Sequence, residues 1–202
     1  MKTKNTMAIK ILKSVKIGTQ TWAAKNLNVR KFRNGDPIFE AQSDEEWQKA
    51  GEEGKPAWCY LDNDPANSKL YGKMYNWFAV SDERGLAPKG WHVPTDAEWT
   101  VLTDYLGGSE LAATKMKSAR GWDNHCNGTN STGFRGLIAA YRYSNGAIDQ
   151  PGAWWSSSEV DSNSAWNRGL SYDNSNVFRF DSYKLDGLFV RCLMGEASQE
   201  KN

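Results

Sequence analysis

The run Trp91-His92-Val93-Pro94-Thr95-Asp96-Ala97-Glu98-Trp99 changes its period half way along. Trp91, His92 and Val93 follow a turn at Pro88-Lys89-Gly90 and read as a short extended piece. Thr95 then has Glu98 three residues on, the pattern in which each side chain satisfies the other's free backbone N–H at a helix start. Trp99, Leu102, Tyr105 and Leu106 recur at helical spacing and form the expected buried stripe. Gly107-Gly108 stops that helix, and Ser109 is placed to cap a further turn from Leu111 to Lys117.

Upstream, Val15 to Trp22 reads as strand, turn and strand around Gly18. Ser43 and Glu46 repeat the capping pattern, so a helix is expected over Asp44–Ala50, ended by Gly51. Ala57 to Tyr60 reads as a strand. Tyr71, Met74, Tyr75 and Phe78 recur at helical spacing and predict a core helix over Gly72–Val80. From Gly121 onward the composition shifts to Gly, Asn, Ser, Thr and aromatics. Strands are expected at Phe134–Tyr143, Ala153–Ser158, Ser164–Tyr172, Asn176–Ser182 and Gly187–Leu193. Helices in the first half and an antiparallel region in the second make an α+β chain. A single domain is expected over residues 15–194, with tails at 1–14 and 195–202.

The 202 residues carry a net charge of only +1, which gives no electrostatic reason to expect nucleic acid as a partner. Ten tryptophans stand against modest aliphatic content, and most are expected to anchor the core. No apolar run is long enough to span a bilayer, so no membrane insertion is expected. Ala8, Ile9, Ile11 and Leu12 make too short a core for a signal peptide. Localisation stays open between the cytoplasm until assembly, a phage particle and a surface reached by another route. Three cysteines and two histidines show no zinc spacing. No phosphate-binding glycine loop and no nucleophile elbow appears, so no catalytic residue and no cofactor is assigned. Asp62 and Asp64, together with Asp123, are the residues that would hold calcium if any did, since alternate carboxylates suit a hard cation. They lack the glycine and distal glutamate of an EF-hand loop.

Several quoted pieces occur in one order: Gly18-Thr19-Gln20-Thr21-Trp22, Gly72-Lys73-Met74-Tyr75-Asn76-Trp77, the Pro88–Trp99 run, Trp155-Ser156-Ser157-Ser158-Glu159 and Val190-Arg191-Cys192. Together they closely resemble the Fibrobacter succinogenes major paralogous domain. The Gly90–Trp99 part is also similar to formylglycine-generating enzymes, which implies a C-type-lectin-like fold. Their chemistry needs a close cysteine pair near the C-terminus. Cys59, Cys126 and Cys192 do not provide one, so no enzymatic activity is expected.

The last third resembles the variable region of proteins diversified by retroelements, in which adenines of AAC codons are replaced. The resulting NNC codons cannot encode Met, Trp, Lys, Gln or Glu. Between Val160 and Phe189 only Trp166 and Lys184 belong to that set. The resemblance implies a fixed scaffold of Trp166, Arg168, Leu170, Val177, Arg179, Lys184 and Gly187. It implies a displayed binding face of Val160, Asp161, Asn163, Asn167, Gly169, Ser171, Asp173, Phe178, Phe180, Ser182, Tyr183, Leu185, Asp186 and Leu188. Alternation along a strand permits such a division, since successive side chains leave opposite faces. Periodicity alone would bury Phe178 and Phe180 and leave Arg179 in water; the resemblance reverses this. The expected function is display of a hypervariable surface to a protein or surface glycan. An undiversified carbohydrate-binding lectin, a structural surface module and a formylglycine-generating-like oxidase are the competing readings.

Overall fold

The computed structural model describes residues 12–122, 126–138, 140–149, 153–170 and 173–196. Among the expected residues, Ser171 and Asp123 lie outside these.

Strands β1 (Ser14–Ile17) and β2 (Gln20–Ala23) form a hairpin about Gly18, whose φ of 60° suits a residue without a Cβ. The two-residue strand β3 (Phe39–Glu40) precedes α1 (Asp44–Glu52), which Ser43 caps through the Glu46 amide. After β4 (Ala57–Cys59) and the one-turn helix α2 (Ser68–Tyr71) come β5 (Met74–Tyr75) and α3 (Trp77–Val80). Strand β6 (Trp91–His92) leads into α4 (Asp96–Tyr105), where both halves of the Thr95–Glu98 capping box are present, and then α5 (Ser109–Met116). The rest is β7 (Tyr141–Arg142), β8 (Ile148–Asp149), β9 (Ala153–Glu159), β10 (Ser164–Leu170), β11 (Val177–Tyr183), β12 (Leu188–Phe189) and β13 (Leu193–Met194).

The architecture is α+β. A seven-stranded sheet runs in the order β11-β10-β9-β12-β5-β4-β3, and a four-stranded sheet in the order β1-β2-β13-β6 joins the two ends of the domain. The large sheet is mixed rather than purely antiparallel, because β12 pairs β9 and β3 pairs β4 in parallel. Both faces of its central strands are buried. Trp154 and Phe189 point into a core with α1, α4 and α5, while their neighbours Trp155 and Leu188 point into a second core with Tyr75, Trp77 and Val190. Nine tryptophans are buried, and Trp166 alone is half-buried.

Five expectations are corrected. Gly72–Val80 is not one helix: Met74 and Tyr75 join the sheet, and the Asn76 side chain accepts from both Ala57 N and Ala79 N, so a helix starts only at Trp77. Among the described residues, Phe134–Tyr143 is strand only at Tyr141–Arg142; Phe134 instead plugs the space between the Trp22, Trp99 and Trp154 rings. Tyr105 leaves the core stripe and covers Gly18 of the hairpin, with 64% of its surface exposed. Gly51 lies inside α1, and Gly108 rather than Ser109 occupies the cap of α5.

Candidate ligand-binding face

Strand β11 ends the seven-stranded order, so one of its backbone edges has no partner in the sheet. Its register with β10 puts Arg179 opposite Arg168, Phe180 opposite Asn167 and Phe178 opposite Gly169. The two arginines therefore leave one face together, and the two phenylalanines leave the other.

The arginine face is tied to the helix start. Arg168 is 3% exposed; it donates to Asp96 Oδ1 at 2.5 Å, the Asp96 carbonyl at 3.2 Å and Thr100 Oγ1 at 3.1 Å. Arg179 reaches the same carboxylate, with Nε 3.1 and 3.0 Å from its two oxygens, and its guanidinium lies over the Trp166 ring at 3.3 Å. Burial by itself would raise the Asp96 carboxyl, but the hydrogen bonds from Arg179 and Arg168 outweigh it and hold the group below the usual carboxylate range. Burial also pulls the Arg168 pKa down, against the opposing pull of Asp96. The same helix start is docked on β9. Ser158 Oγ accepts from Asp96 N at 2.9 Å, and Ser157 bonds to Pro94 O and Val93 O.

The remaining scaffold residues are held as tightly. Leu170 and Val177 are buried in the helix-side core. Lys184 is 7% exposed and donates to Glu159 Oε1 at 3.1 Å and Ser162 O at 3.0 Å, above the Trp77 ring. Gly187 packs so closely on Trp47 that a Cβ would lie 2.7 Å from the indole. Of the scaffold set, Arg179 is the exposed member, at 46% of its side chain.

The expected contact residues divide. Phe180 is 53% exposed and stacks on the half-buried Phe178, ring centroids 5.3 Å apart. Tyr183 (64%) and Val160 (40%) are exposed, as are Asp161, Asn163 and Asp173, while Leu185 is half-buried. The Asp161 carboxylate accepts from the Asn163 and Ser164 amides and so shapes the turn between β9 and β10.

Five members are corrected to interior residues. Asn167 is 2% exposed and gives its amide to Ser182 Oγ at 2.8 Å, because this face of β10 continues the Ala153–Trp155 face of β9 rather than the surface. Ser182 is correspondingly buried. Gly169 has no side chain to present and lies opposite Phe178. Asp186 accepts the Tyr141 hydroxyl, and burial pushes both groups' pKa values up. Leu188 is fully buried because β12 runs inside the sheet.

Sequence reading missed Asp96 as a joint between helix and sheet. Its partners are 72 and 83 residues away, and the capping pattern accounts for that stretch without it. It also missed Tyr143, an exposed aromatic whose ring meets that of Tyr141 edge-on at 4.8 Å.

No disulfide joins Cys59, Cys126 and Cys192 to one another. Burial pushes Cys59 up to about 11 and Cys192 up to about 12, which leaves both protonated at neutral pH and poor as nucleophiles. Asp64 caps the Ala66 amide, and Asp62 is exposed with a φ of 57°. Among the described residues no group of three His, Cys, Asp or Glu side chains is placed to hold a metal.

A model of the Fibrobacter succinogenes major domain matches residues 15–194. The chain belongs to that family. No curated protein and no solved structure matches it. The family match runs from within β1 to the end of β13. Among the described residues no helix is long and apolar enough to cross a membrane.

Proposed function

We propose that this chain is a non-enzymatic binding protein with a C-type-lectin-like fold, and that β11 and the β9–β10 turn display exchangeable side chains to a protein or glycan ligand. The observation that carries this reading is the Phe178–Phe180 stack. Two phenylalanines stand together on an edge strand, the outer one more than half exposed, while the opposite face of that strand is clamped by Arg179 and Asp96. Exposed aromatics beside small polar neighbours suit a contact surface, since rigid rings give area at low entropic cost. The clamp supplies the complementary property: the backbone is held by residues that the contact set does not include.

The burial pattern narrows the exchangeable set to Val160, Asp161, Asn163, Asp173, Phe178, Phe180, Tyr183 and Leu185 among the described residues. Diversification by a retroelement is part of the proposal and rests on the residue types between Val160 and Phe189. The protein can be tested directly. Val160, Asp173, Phe178, Phe180 and Tyr183 would be randomised together in one library, and Asn167, Ser182, Asp186 and Leu188 in another. Protease resistance would be scored across each. The reading expects most clones of the first library to stay folded and few of the second. A first library that unfolds as often as the second would overturn it. A genomic near-copy differing only at adenines would establish the diversification; a copy varying at other bases would remove it.

A further inference from the structure

A solvent-open cavity of about 30 Å³ lies between the Lys25–Asn26 segment, α2 and the chain around Arg135 and Arg191. Four cationic residues line it, namely Lys25, Lys69, Arg135 and Arg191, and no carboxylate does. In a chain whose net charge is only +1, that is a local excess of positive charge.

Arg191 is the buried member, at 2% exposure. Its Nε and Nη2 both donate to Asn26 Oδ1, at 3.0 and 2.6 Å, and Nη1 donates to Ala23 O at 3.2 Å and Phe134 O at 2.5 Å. These acceptors are neutral, and they use four of the five guanidinium N–H groups, leaving one on Nη2. Asn26 Oδ1 also takes the Trp154 indole N–H at 2.8 Å, so its capacity is filled. Among the described residues Arg191, Arg135, Lys25 and Lys69 form no ion pair. The effect on Arg191 is a pKa brought down to about 9 by burial. Arg135 adds a backbone observation: it holds a φ of 54°, a strained conformation for a residue with a Cβ, and the Asn130 side chain accepts its amide N–H.

We propose that this cavity binds a small oxyanion of phosphate or sulfate type, either free or as the terminal group of a larger molecule. The anion would supply the countercharge that Arg191 lacks, with Arg135, Lys25 and Lys69 closing over it from the solvent side. Guanidinium groups suit it because their donors match adjacent oxyanion oxygens. The site is independent of the β11 face.

The test is titration of the full chain with inorganic phosphate, inorganic sulfate and methyl phosphate, at constant ionic strength, by calorimetry and by shift of the unfolding midpoint. A saturable shift is expected for the inorganic ions. It should weaken at least tenfold in the Lys69→Gln/Arg135→Gln double variant, whose unfolding midpoint without anion should not fall. Both altered side chains are exposed; the single Lys69→Gln variant repeats the test should the pair disturb folding. Binding of methyl phosphate would assign the site to terminal groups, and binding of inorganic ions alone would assign it to free ions. No saturable binding of any of the three, or equal affinity in the variants and the parent, would overturn the proposal.

Discussion

His92 is 8% exposed and lies between two acceptors, with Nδ1 2.9 Å from the Gly195 carbonyl and Nε2 2.9 Å from Glu98 Oε2. A neutral imidazole has one N–H and satisfies only one of them; the imidazolium satisfies both. Burial favours the neutral ring, but the bonds to Glu98 and Gly195 outweigh it and raise the pKa. A group whose folded pKa is raised contributes stability that is fully present below its unfolded value, about 6.5, and is lost as pH rises through the folded value. Glu98 Oε2 also accepts from Thr95 N, so the histidine charge supports the capping box of α4 as well as the turn that follows β13 at Gly195. The stability difference between the parent and His92→Gln should therefore be largest at mildly acid pH and shrink through the window above about 6.5. Chemical denaturation at a series of pH values measures it. A difference that is flat or grows across that window would show that the ring is neutral in the folded protein. None of this was legible from the residues alone, because the alternation of Trp91, His92 and Val93 gives the strand but not what its side chains meet.

Between elements, the Asp96 carboxylate joins the start of α4 to β10 and β11 through two arginines of unequal burial. Arg168 has 4% of its side chain exposed, whereas Arg179 has 46%. Removing Asp96 strands the buried partner without a countercharge; removing Arg179 leaves Asp96 still paired. Asp96→Ala should thus cost about 3 kcal/mol or more, the usual scale for breaking a buried pair. Arg179→Ala should cost about 1 kcal/mol, the scale of a half-exposed pair with a ring contact. Equal losses, read from urea midpoints, would mean that the two arginines do not share the work in this way. The sequence showed the helix start well, because both halves of a capping box lie within four residues. It also marked Arg168 and Arg179 as scaffold, through the family resemblance rather than through periodicity, which would have put the phenylalanines inside. Where it failed, burial came from another strand. Asn167, Ser182 and Leu188 alternate as surface residues would, yet the second core, Tyr141 and Asp186 cover that face from elsewhere in the chain. Gly72–Val80 failed for a similar reason: the aromatic spacing fits a helix, but a two-residue strand between Gly72 and Asn76 satisfies it too.

At the scale of the molecule, the large sheet is the shared wall of both hydrophobic cores, and consecutive residues serve opposite sides of it. Trp154 and Trp155, Leu188 and Phe189, and Met74 and Tyr75 each divide between the two cores. A backbone segment that leaves one core therefore leaves the other. The ends are closed as well, since β13 pairs with both β2 and β6, and Arg191 just before it bonds to Ala23 O and Phe134 O. Together these contacts tie residues far apart in sequence, so neither core can lose its packing alone. The chain should unfold in one transition, with the calorimetric enthalpy equal to the van't Hoff enthalpy and coincident midpoints from tryptophan fluorescence and far-ultraviolet circular dichroism. Substituting Trp155, which donates its indole N–H to Tyr75 O at 2.8 Å on the second-core side, by Ala should cost about 3–5 kcal/mol. It should shift both probes together. Two separated transitions, or a Trp155→Ala variant that loses fluorescence cooperativity while the circular dichroism midpoint stays in place, would mean that the cores are coupled more loosely than their common sheet requires.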